Sequence, residues 1–536
     1  MISDRRSIRF VRWVSVALGL LAFAWLLPGL DEVGIAWDEV YYFDSVTRIQ
    51  EWAGQVAAGR DRSQLLSQEV VRETFNWRRY YNPHPPAYKL AMAATEATFG
   101  RWTGEVVGYR LAPLAFFSLL VGCVTWLAGM AWGRVAGVGA GLAILLMPRV
   151  VGHAHIGATD TLTTLAWFVA SVGLVLYVLE DRRRFLVIGA VGLGVALATK
   201  FTGYLIPLAI LLWMIAYGRS RRAVAGAILW GLSGLVVAWA LNPLMWHDPV
   251  AETMRLVQDT LSRDDVIPIT TYYMGRHFGY QVPGHHVIVM TLITVPLSIL
   301  ALAGWGGAAS LRRWEDKPVG GLCWTQILFF VALMAAPGSP NHDGVRLWLP
   351  MFPFVALLAG RGFGSMILIV RERTPGPRAI LASLVLAALF FFPPYIQTVR
   401  VAPFYLAYYN ELIGGVPGAA RAGMETTYWM EAVTPAFLEK VGETLPEGAR
   451  LSAWPNVTHY EWLQLHGMLR EDIVVTDEMP PDYFVLVARK SVFQPYHWRI
   501  YESVRPELAV ELDGVEIVGL YAWQQSEVFE PDPEDP

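Results

Sequence analysis

The chain has 536 residues, of which 54% are hydrophobic and 16% are charged, with a net charge of −4 and a mean hydropathy of +0.38. Soluble domains carry about 25% charged residues, so this composition excludes an ordinary soluble protein. The small net charge gives no reason to expect a nucleic-acid partner. Apolar stretches of about 20 residues recur along the chain, and each is long enough to cross a bilayer. The sequence therefore predicts an all-α polytopic membrane protein.

About eleven apolar segments are predicted to span the membrane. Arg and Lys concentrate in alternate turns, as in "RRSIRFVR", "DRRRF", "GRSRR" and "RERTPGPR". The positive-inside rule therefore predicts a cytoplasmic N-terminus and a C-terminal region outside the cytoplasm. The first segment is interpreted as an uncleaved signal anchor rather than a cleaved signal peptide, because no small-residue cleavage pattern precedes "GLDEVG". The predicted spans are 11–30, 107–131, 135–148, 158–179, 185–199, 202–217, 223–241, 285–304, 321–336, 347–370 and 379–397.

Two parts of the chain are predicted to fold differently. Residues 1–400 form the membrane domain, with long outside loops at 31–106 and 242–284. In residues 401–536, short mixed segments such as "DYFVLVAR" and "VEIVGLYAW" replace the long apolar runs. Short strands and helices separated by turn residues predict a small α/β domain outside the membrane.

Ionisable residues fall mostly at the predicted outer ends of the spans. A charged group at membrane depth is costly, so each is a candidate for function. A carboxylate can accept a proton from a nucleophile, whereas Lys and Arg can stabilise a phosphate leaving group. Asp38 and Glu39 follow the first span in "GIAWDEVYYFD". The other candidates, in chain order, are His84, Arg110, Asp160, Lys200, His342 and Arg346.

Several candidates also have an ordinary explanation. Acids are favourable in the first turn of a helix, so Asp38 and Glu39 could serve only to stabilise a helix that begins near Ala36. Asp160 could be an acid of the N-cap region of the fourth span. Lys200 could extend along the apolar surface to the membrane interface.

The sequence predicts no cofactor. It contains no Walker loop, no DxD-type diphosphate site and no HExxH helix, so an activated substrate is expected to supply the energy of any reaction. His153 and His155 form an H-x-H pair, but histidines without a Cys or carboxylate frame do not predict a metal site. A bound divalent cation is the less favoured alternative.

An ordered set of motifs resembles the bacterial membrane glycosyltransferases of the GT-C superfamily. These are relatives of the protein O-mannosyltransferases (family 39) and of the lipid A aminoarabinose transferases. The set comprises the acidic pair after the first span, "HPP" in the first loop, "GYRLAP", "GATDTLTTLAWF" and "ALATKFTGYLIPL". "NHDGVRLWLPMFPFVALLAG" resembles a His…Arg…Pro stretch of their late spans, and "YYNELIGGVPGAARAGMETTYW" a segment after the last span. The resemblance covers residues 1 to roughly 400.

The resemblance implies an inverting transfer of a hexosyl or pentosyl group from a polyprenyl-phosphate donor. The acceptor would be an extracytoplasmic lipid, glycan or protein, at the bacterial inner membrane. Asp38 would be the general base, with Glu39 supporting it or contacting the acceptor. Asp160 would orient the acceptor or a first-loop helix, and Lys200 and Arg346 would lie near the donor phosphate.

A transporter or flippase of lipid-linked sugars is the alternative. It would use the same cations for the phosphate but would not need a base. Such proteins usually show paired inverted repeats or broken helices, and the sequence predicts neither.

Overall fold

The structure is a computed structural model that describes residues 4–75, 84–261, 270–279, 281–312 and 317–523. Within these ranges, seven helices are long and apolar enough to cross a membrane, or up to nine if each of two bent helix pairs is one span. This confirms the multi-pass helical membrane fold, with fewer full-length spans than the predicted eleven. Two predicted spans, 185–199 and 202–217, coincide with helices of only 15 and 12 residues.

Helices occupy most of residues 5–401, because backbone groups in a bilayer must be hydrogen-bonded within their own segment. In chain order they are α1 (Arg5–Leu26), α2 (Trp37–Ala57), α3 (Arg62–Leu65), α4 (Gln68–Phe75), α5 (Ala87–Thr103), α6 (Glu105–Trp132), α7 (Arg134–Leu145), α8 (Pro148–Ala154), α9 (Thr159–Glu180), α10 (Arg183–Leu197), α11 (Ile206–Tyr217), α12 (Arg221–Leu241), α13 (Pro249–Leu261), α14 (His286–Thr294), α15 (Leu297–Arg312), α16 (Lys317–Ala335), α17 (Phe352–Arg373) and α18 (Pro377–Val401). A short antiparallel pair, β1 (Thr271–Tyr273) and β2 (Arg276–Phe278), lies between α13 and α14.

Two helix pairs are sharply bent at a break, so the expectation that the chain has no broken helices was wrong. The chain turns by 71° between α7 and α8 and by 117° between α14 and α15. Pro148 and Pro296 lie at these breaks, where proline cannot donate a backbone hydrogen bond. Asn410 binds the carbonyl groups freed at the second break, because its Nδ2 donates to Leu292 O at 2.7 Å and to Val295 O at 2.6 Å.

A small α/β domain follows the last long helix, as the sequence predicts. Its five-stranded sheet has the order β4-β3-β5-β7-β6, with β3 parallel to both β4 and β5 and the other pairs antiparallel. All of β5 except its first residue is buried, as expected of a central strand. The elements are α19 (Gly415–Arg421), α20 (Pro435–Thr444), β3 (Arg450–Trp454), α21 (Val457–Leu465), β4 (Val474–Val475), β5 (Tyr483–Val487), α22 (Pro495–Ser503), β6 (Leu508–Leu512) and β7 (Val515–Ala522).

The segment between α19 and α20 packs against the start of α2. Gly34 N donates to Glu431 O at 3.1 Å, and Trp37 N donates to Trp429 O at 2.7 Å. The Glu431 carboxylate accepts Trp429 N at 2.6 Å and so fixes its own turn. These bonds bring the chain that follows α18 beside the acidic pair that follows α1.

Candidate active site

Arg346 lies at the centre of a buried polar cluster. Its Nη2 donates to Asp38 Oδ2 at 2.7 Å, its Nε to Asp160 Oδ2 at 3.1 Å, and its Nη1 to Asp343 Oδ2 at 3.0 Å. The side chains of Asp160 and Asp343 are 3% and 7% exposed, whereas that of Asp38 is 25% exposed. Asp38 is therefore the most accessible of the three carboxylates that share this guanidinium.

Asp38 is held by its position in the first turn of α2. The Glu39 carboxylate accepts the Ala36 backbone N–H at 2.7 Å, which fixes the helix start. Tyr42, one turn further on, donates its hydroxyl to Asp38 Oδ2 at 3.3 Å. The Asp38 carboxylate is thus oriented from its own helix as well as by Arg346.

Asp160 bridges two cations. Lys200 Nζ donates to Asp160 Oδ1 at 2.7 Å, while Arg346 binds the other oxygen. Asp160 lies in the first turn of α9, and Lys200 follows the end of α10 in extended conformation. The structure therefore brings together four of the predicted site residues, Asp38, Asp160, Lys200 and Arg346, from four separate segments.

The C-terminal domain contributes a cation to the same cluster. Arg489, just after β5, donates from Nη2 to Asp343 Oδ1 at 3.1 Å. Burial opposes ionisation of Asp343, but the charges of Arg489, His342 and Arg346 outweigh it and lower the pKa of this carboxyl. The predicted candidate His342 lies beside this group, with Nε2 3.9 Å from Asp343 Oδ2.

Trp429 covers the guanidinium of Arg346. The Arg346 Cζ lies 3.6 Å from the centroid of the indole ring, in cation–π contact. Trp429, Asp343 and Arg489 are not among the site residues predicted from the sequence. Asp343 is charged and lies in the same outer turn as His342 and Arg346, so the cost of charge near a membrane marks it as well. Trp429 ends the family-like segment "YYNELIGGVPGAARAGMETTYW", but nothing in that segment singles it out, and Arg489 lies in none of the family-like motifs.

Known structures share the arrangement of this chain over nearly its whole length. ArnT from Cupriavidus metallidurans, bound to undecaprenyl phosphate, matches with a TM-score of 0.50 and 13% identity, covering 97% of this chain and 98% of that one. The archaeal oligosaccharyltransferase AglB from Archaeoglobus fulgidus, in complex with an inhibitory peptide and a dolichol-phosphate, matches with a TM-score of 0.51 and 10% identity, covering 92% and 71%. This chain has the GT-C fold.

The sequence comparisons agree with the GT-C assignment. Residues 83–246 match the family model described as dolichyl-phosphate-mannose-protein mannosyltransferase. The comparison with curated proteins gives no significant match. The matched range includes Arg110, Asp160 and Lys200, and the resemblance predicted from the sequence motifs is therefore confirmed.

Glu39 and Arg110, which the sequence predicts to bind substrate, are buried in this structure and bind each other. Glu39 and Arg110 form a bidentate ion pair, with Nε–Oε1 at 2.8 Å and Nη2–Oε2 at 2.6 Å, and both side chains are 0% exposed. Arg110 also donates to Leu30 O, Val33 O and Gly34 O, so all five of its N–H groups are used.

Glu39 joins a third segment to this pair. Its Oε1 accepts the backbone N–H of Gly157 at 2.5 Å, in the turn that precedes α9. The pair therefore connects the start of α2 with α6 and α9. This geometry favours a positioning role for Glu39 and Arg110 over the substrate contact predicted for them.

His84 lies at a different place from the Arg346 cluster. It lines a small pocket together with residues of α4 and α13, including Phe75, Glu252 and Arg255.

Lys89, in the first turn of α5, is 1% exposed, and burial lowers its pKa to about 7. The neighbouring Tyr88 ring meets that of Tyr42 at 4.9 Å, so the α5 N-terminus borders the helix that carries Asp38.

Proposed function

We propose that this protein is an integral membrane glycosyltransferase that moves a sugar from a polyprenyl-phosphate donor to an acceptor, with Asp38 as general base. The accessible Asp38 carboxylate, held beside Arg346 in a GT-C fold, carries the proposal. The mannosyltransferase family model supports the reaction class. The undecaprenyl phosphate bound by ArnT, and the dolichol-phosphate and peptide bound by AglB, support a lipid-linked donor and a lipid or protein acceptor.

The proposed step is a single displacement at the anomeric carbon. The acceptor nucleophile forms a bond to this carbon and gives its proton to Asp38. The bond between the anomeric carbon and the phosphate oxygen breaks on the opposite face, and its electron pair leaves with the polyprenyl phosphate. Lys200 and Arg346 offset the charge of the leaving group. Attack opposite to the leaving group inverts the configuration of the sugar.

The proposed reaction uses no metal or other cofactor. Among the residues that the structure describes, no group of three or more His, Cys, Asp or Glu side chains could hold a metal ion. A phosphate is a good leaving group, and the cations of the cluster supply positive charge without a metal. We expect transfer to continue in excess EDTA; loss of transfer that added Mg²⁺ or Mn²⁺ restores would contradict this part of the proposal.

We also propose that the cluster faces the extracytoplasmic side of a bacterial inner membrane, with the N-terminus in the cytoplasm. The arginine-rich ends of α1 and α10 support this orientation under the positive-inside rule. A membrane-impermeant thiol reagent should label Leu465→Cys, whose side chain is 82% exposed on α21, in intact spheroplasts. Arg183→Cys, at the start of α10, should be labelled only after permeabilisation. The reverse pattern would overturn the orientation.

The decisive experiment compares sugar transfer by the wild type and Asp38→Asn. Purified protein is offered radiolabelled polyprenyl-phosphate sugars and crude membrane acceptors. Loss of a general base should lower transfer by about 10²- to 10⁴-fold. Asp44→Asn is the matched control, because Asp44 lies on the same helix and binds Trp462 Nε1 at 3.0 Å, outside the cluster.

Two outcomes would contradict the proposal. Equal transfer by the wild type and Asp38→Asn would remove the base assignment. Movement of labelled lipid-linked sugar across vesicles, without consumption of any donor, would favour the flippase instead.

A further inference from the structure

A long apolar groove runs between α1 and α6 on the surface of the helical domain. Its volume is about 640 Å³. The two helices cross closely where glycines remove the side chains: a Cβ on Gly19 would lie 2.9 Å from Ser118 O, and one on Gly122 would lie 3.1 Å from Ser15 O. This close crossing leaves an open groove beside it, lined among others by Val16 and Phe23.

A second cavity continues the groove toward α9 and α10. Its volume is about 340 Å³, and it shares Arg12, Cys123 and Trp126 with the first. Arg184 and Phe185 of α10 line its far side. Two arginines that are 172 positions apart in sequence therefore line one cavity.

The two arginines lie at the end of the domain opposite the Arg346 cluster. Arg184 is at the start of α10, whereas Lys200 follows its end, and at 1.5 Å per residue the helix separates them by roughly 20 Å. From Arg12 to Phe23 the groove follows eleven residues of α1, about 16 Å. One leaflet of a bilayer has a hydrocarbon thickness of about 15 Å.

Arg12 and Arg184 form no ion pair within the part of the chain that the structure describes. Arg184 lies over its neighbour Phe185 at 4.7 Å. Nearby arginines at the same end do have acidic partners, with Arg182 pairing with Glu180 and Arg222 with Asp181. The groove thus combines an apolar wall one leaflet long with two cations at headgroup level.

We propose that this groove binds one anionic phospholipid. The phosphate contacts Arg12 and Arg184, and an acyl chain lies along α1 and α6. Arg binds phosphate through paired N–H donors, and basic pockets between membrane helices select anionic headgroups. No carboxylate of the described chain pairs with either arginine, so both guanidinium groups are available to an anionic headgroup.

A polyprenyl-phosphate donor is a poor fit to the same groove. Its phosphate is proposed to lie beside Lys200 and Arg346, at the other end of the helices. The phospholipid site is therefore separate from the proposed active site. Phospholipid binding can be tested without any measurement of sugar transfer.

The test measures lipid selectivity of the purified full-length protein by native mass spectrometry, with phosphatidylglycerol and phosphatidylcholine in competition. The double variant Arg12→Gln/Arg184→Gln should reduce the preference for phosphatidylglycerol by about tenfold or more. Arg9→Gln/Arg183→Gln is the matched control, because it removes the same charge from the same two helices but from residues that do not line the groove. This control should change the preference less than about twofold.

A second variant tests the apolar part of the groove. Val16 lines it and is 54% exposed, so Val16→Trp fills the groove without disturbing the core. This variant should reduce phosphatidylglycerol binding while both arginines remain. Equal selectivity in the wild type and the Arg12/Arg184 variant would overturn the proposal, as would displacement of the bound phosphatidylglycerol by undecaprenyl phosphate.

Discussion

At the start of α2, two adjacent carboxylates point to different cations. Successive residues of a helix are rotated by about 100°, so Asp38 faces Arg346 while Glu39 faces Arg110. The Asp38 side chain is 25% exposed, whereas that of Glu39 is inaccessible. Asp38 is therefore available for chemistry, whereas Glu39 stabilises the backbone at the start of α2, which positions Asp38.

Glu39→Gln is expected to destabilise the protein much more than Asp38→Asn. It leaves the Arg110 guanidinium buried without its counter-charge, which costs about 3–5 kcal/mol of unfolding free energy. Asp38→Asn removes a partly exposed partner of an arginine that keeps two other carboxylates. Thermal unfolding of both purified variants, followed by tryptophan fluorescence, measures the difference. Similar melting temperatures would contradict the structural role of Glu39.

The sequence could predict several of the charged residues in the clusters but not what each one does. Asp38, Asp160, Lys200 and Arg346 attract attention because charge near a membrane is costly. The same signal marks Glu39 and Arg110, since a structural ion pair and a catalytic carboxylate both place charge there. Only the partner separates the two roles, and Arg110 is 71 positions away from Glu39.

The turn that follows β5 connects the C-terminal domain to the Arg346 cluster. Arg489 binds Asp343, and the next two backbone N–H groups, of Lys490 and Ser491, donate to the Glu425 carboxylate at 2.6 and 2.8 Å. Asp343 in turn binds Arg346. The position of a sheet domain is thereby linked to the cation that orients Asp38.

Arg489→Gln is expected to change the pH dependence of transfer. Arg489 helps to hold the pKa of the buried Asp343 carboxyl below its usual value, so its loss raises that pKa and Asp343 takes up a proton at higher pH. Protonation of Asp343 weakens its bond to Arg346, and the acid limb of the kcat/KM profile should therefore move to higher pH. The profile is measured from pH 4.5 to 8.

Arg400→Gln is the matched control for this prediction. It breaks a different contact of the C-terminal domain, the exposed 2.6 Å pair between Arg400, at the end of α18, and Asp513. This variant should leave the acid limb in place. An equal shift in both variants would mean that Arg489 acts only through the stability of the domain.

Helix positions were predictable at the scale of elements, but helix lengths were not. Apolar runs identify α10 and α11, yet they have 15 and 12 residues. The breaks at Pro148 and Pro296 divide two further runs. Hydropathy measures how apolar a segment is, whereas a break depends on groups from elsewhere, such as Asn410, that bind the freed carbonyls.

Across the whole molecule, stability is expected to depend on pH through the C-terminal domain. His459 and His497 are buried there, and burial lowers the pKa of each to about 3. An unfolded histidine has a pKa near 6.5, so below that pH the unfolded chain binds more protons than the folded one. The contribution of these two histidines to the free energy of unfolding is therefore fully present above about pH 6.5 and is lost progressively toward pH 3.

His459→Leu should make the C-terminal domain more resistant to acid. Both ring nitrogens of His459 lack a hydrogen-bond partner in the described part of the chain, so leucine removes a protonation site without breaking a bond. Limited proteolysis between pH 4 and 7 should show a lower midpoint of acid unfolding. His466→Leu removes a partly exposed histidine at the end of the same helix and is the control. An unchanged midpoint in His459→Leu would refute the prediction.

Composition was enough to predict a helical membrane protein, but it could not predict the contact between the membrane domain and the C-terminal α/β domain. Hydropathy predicts the helical membrane domain, and short alternating segments predict the sheet. Arg489 meets Asp343 across 146 positions, and Trp429 meets Arg346 across 83. Neither residue lies in a span, so no cost of burial in the membrane marks it in the sequence.

The sharing of Arg346 among three carboxylates has a consequence for how a substrate enters. Arg346, Lys200 and Arg489 each already contact an acid, so an arriving phosphate competes with the carboxylates for these cations. If the phosphate takes the place of Asp38 on Arg346, the Asp38 carboxylate is freed to act as a base only when a donor is bound. In the empty enzyme, Asp38 stays paired with Arg346.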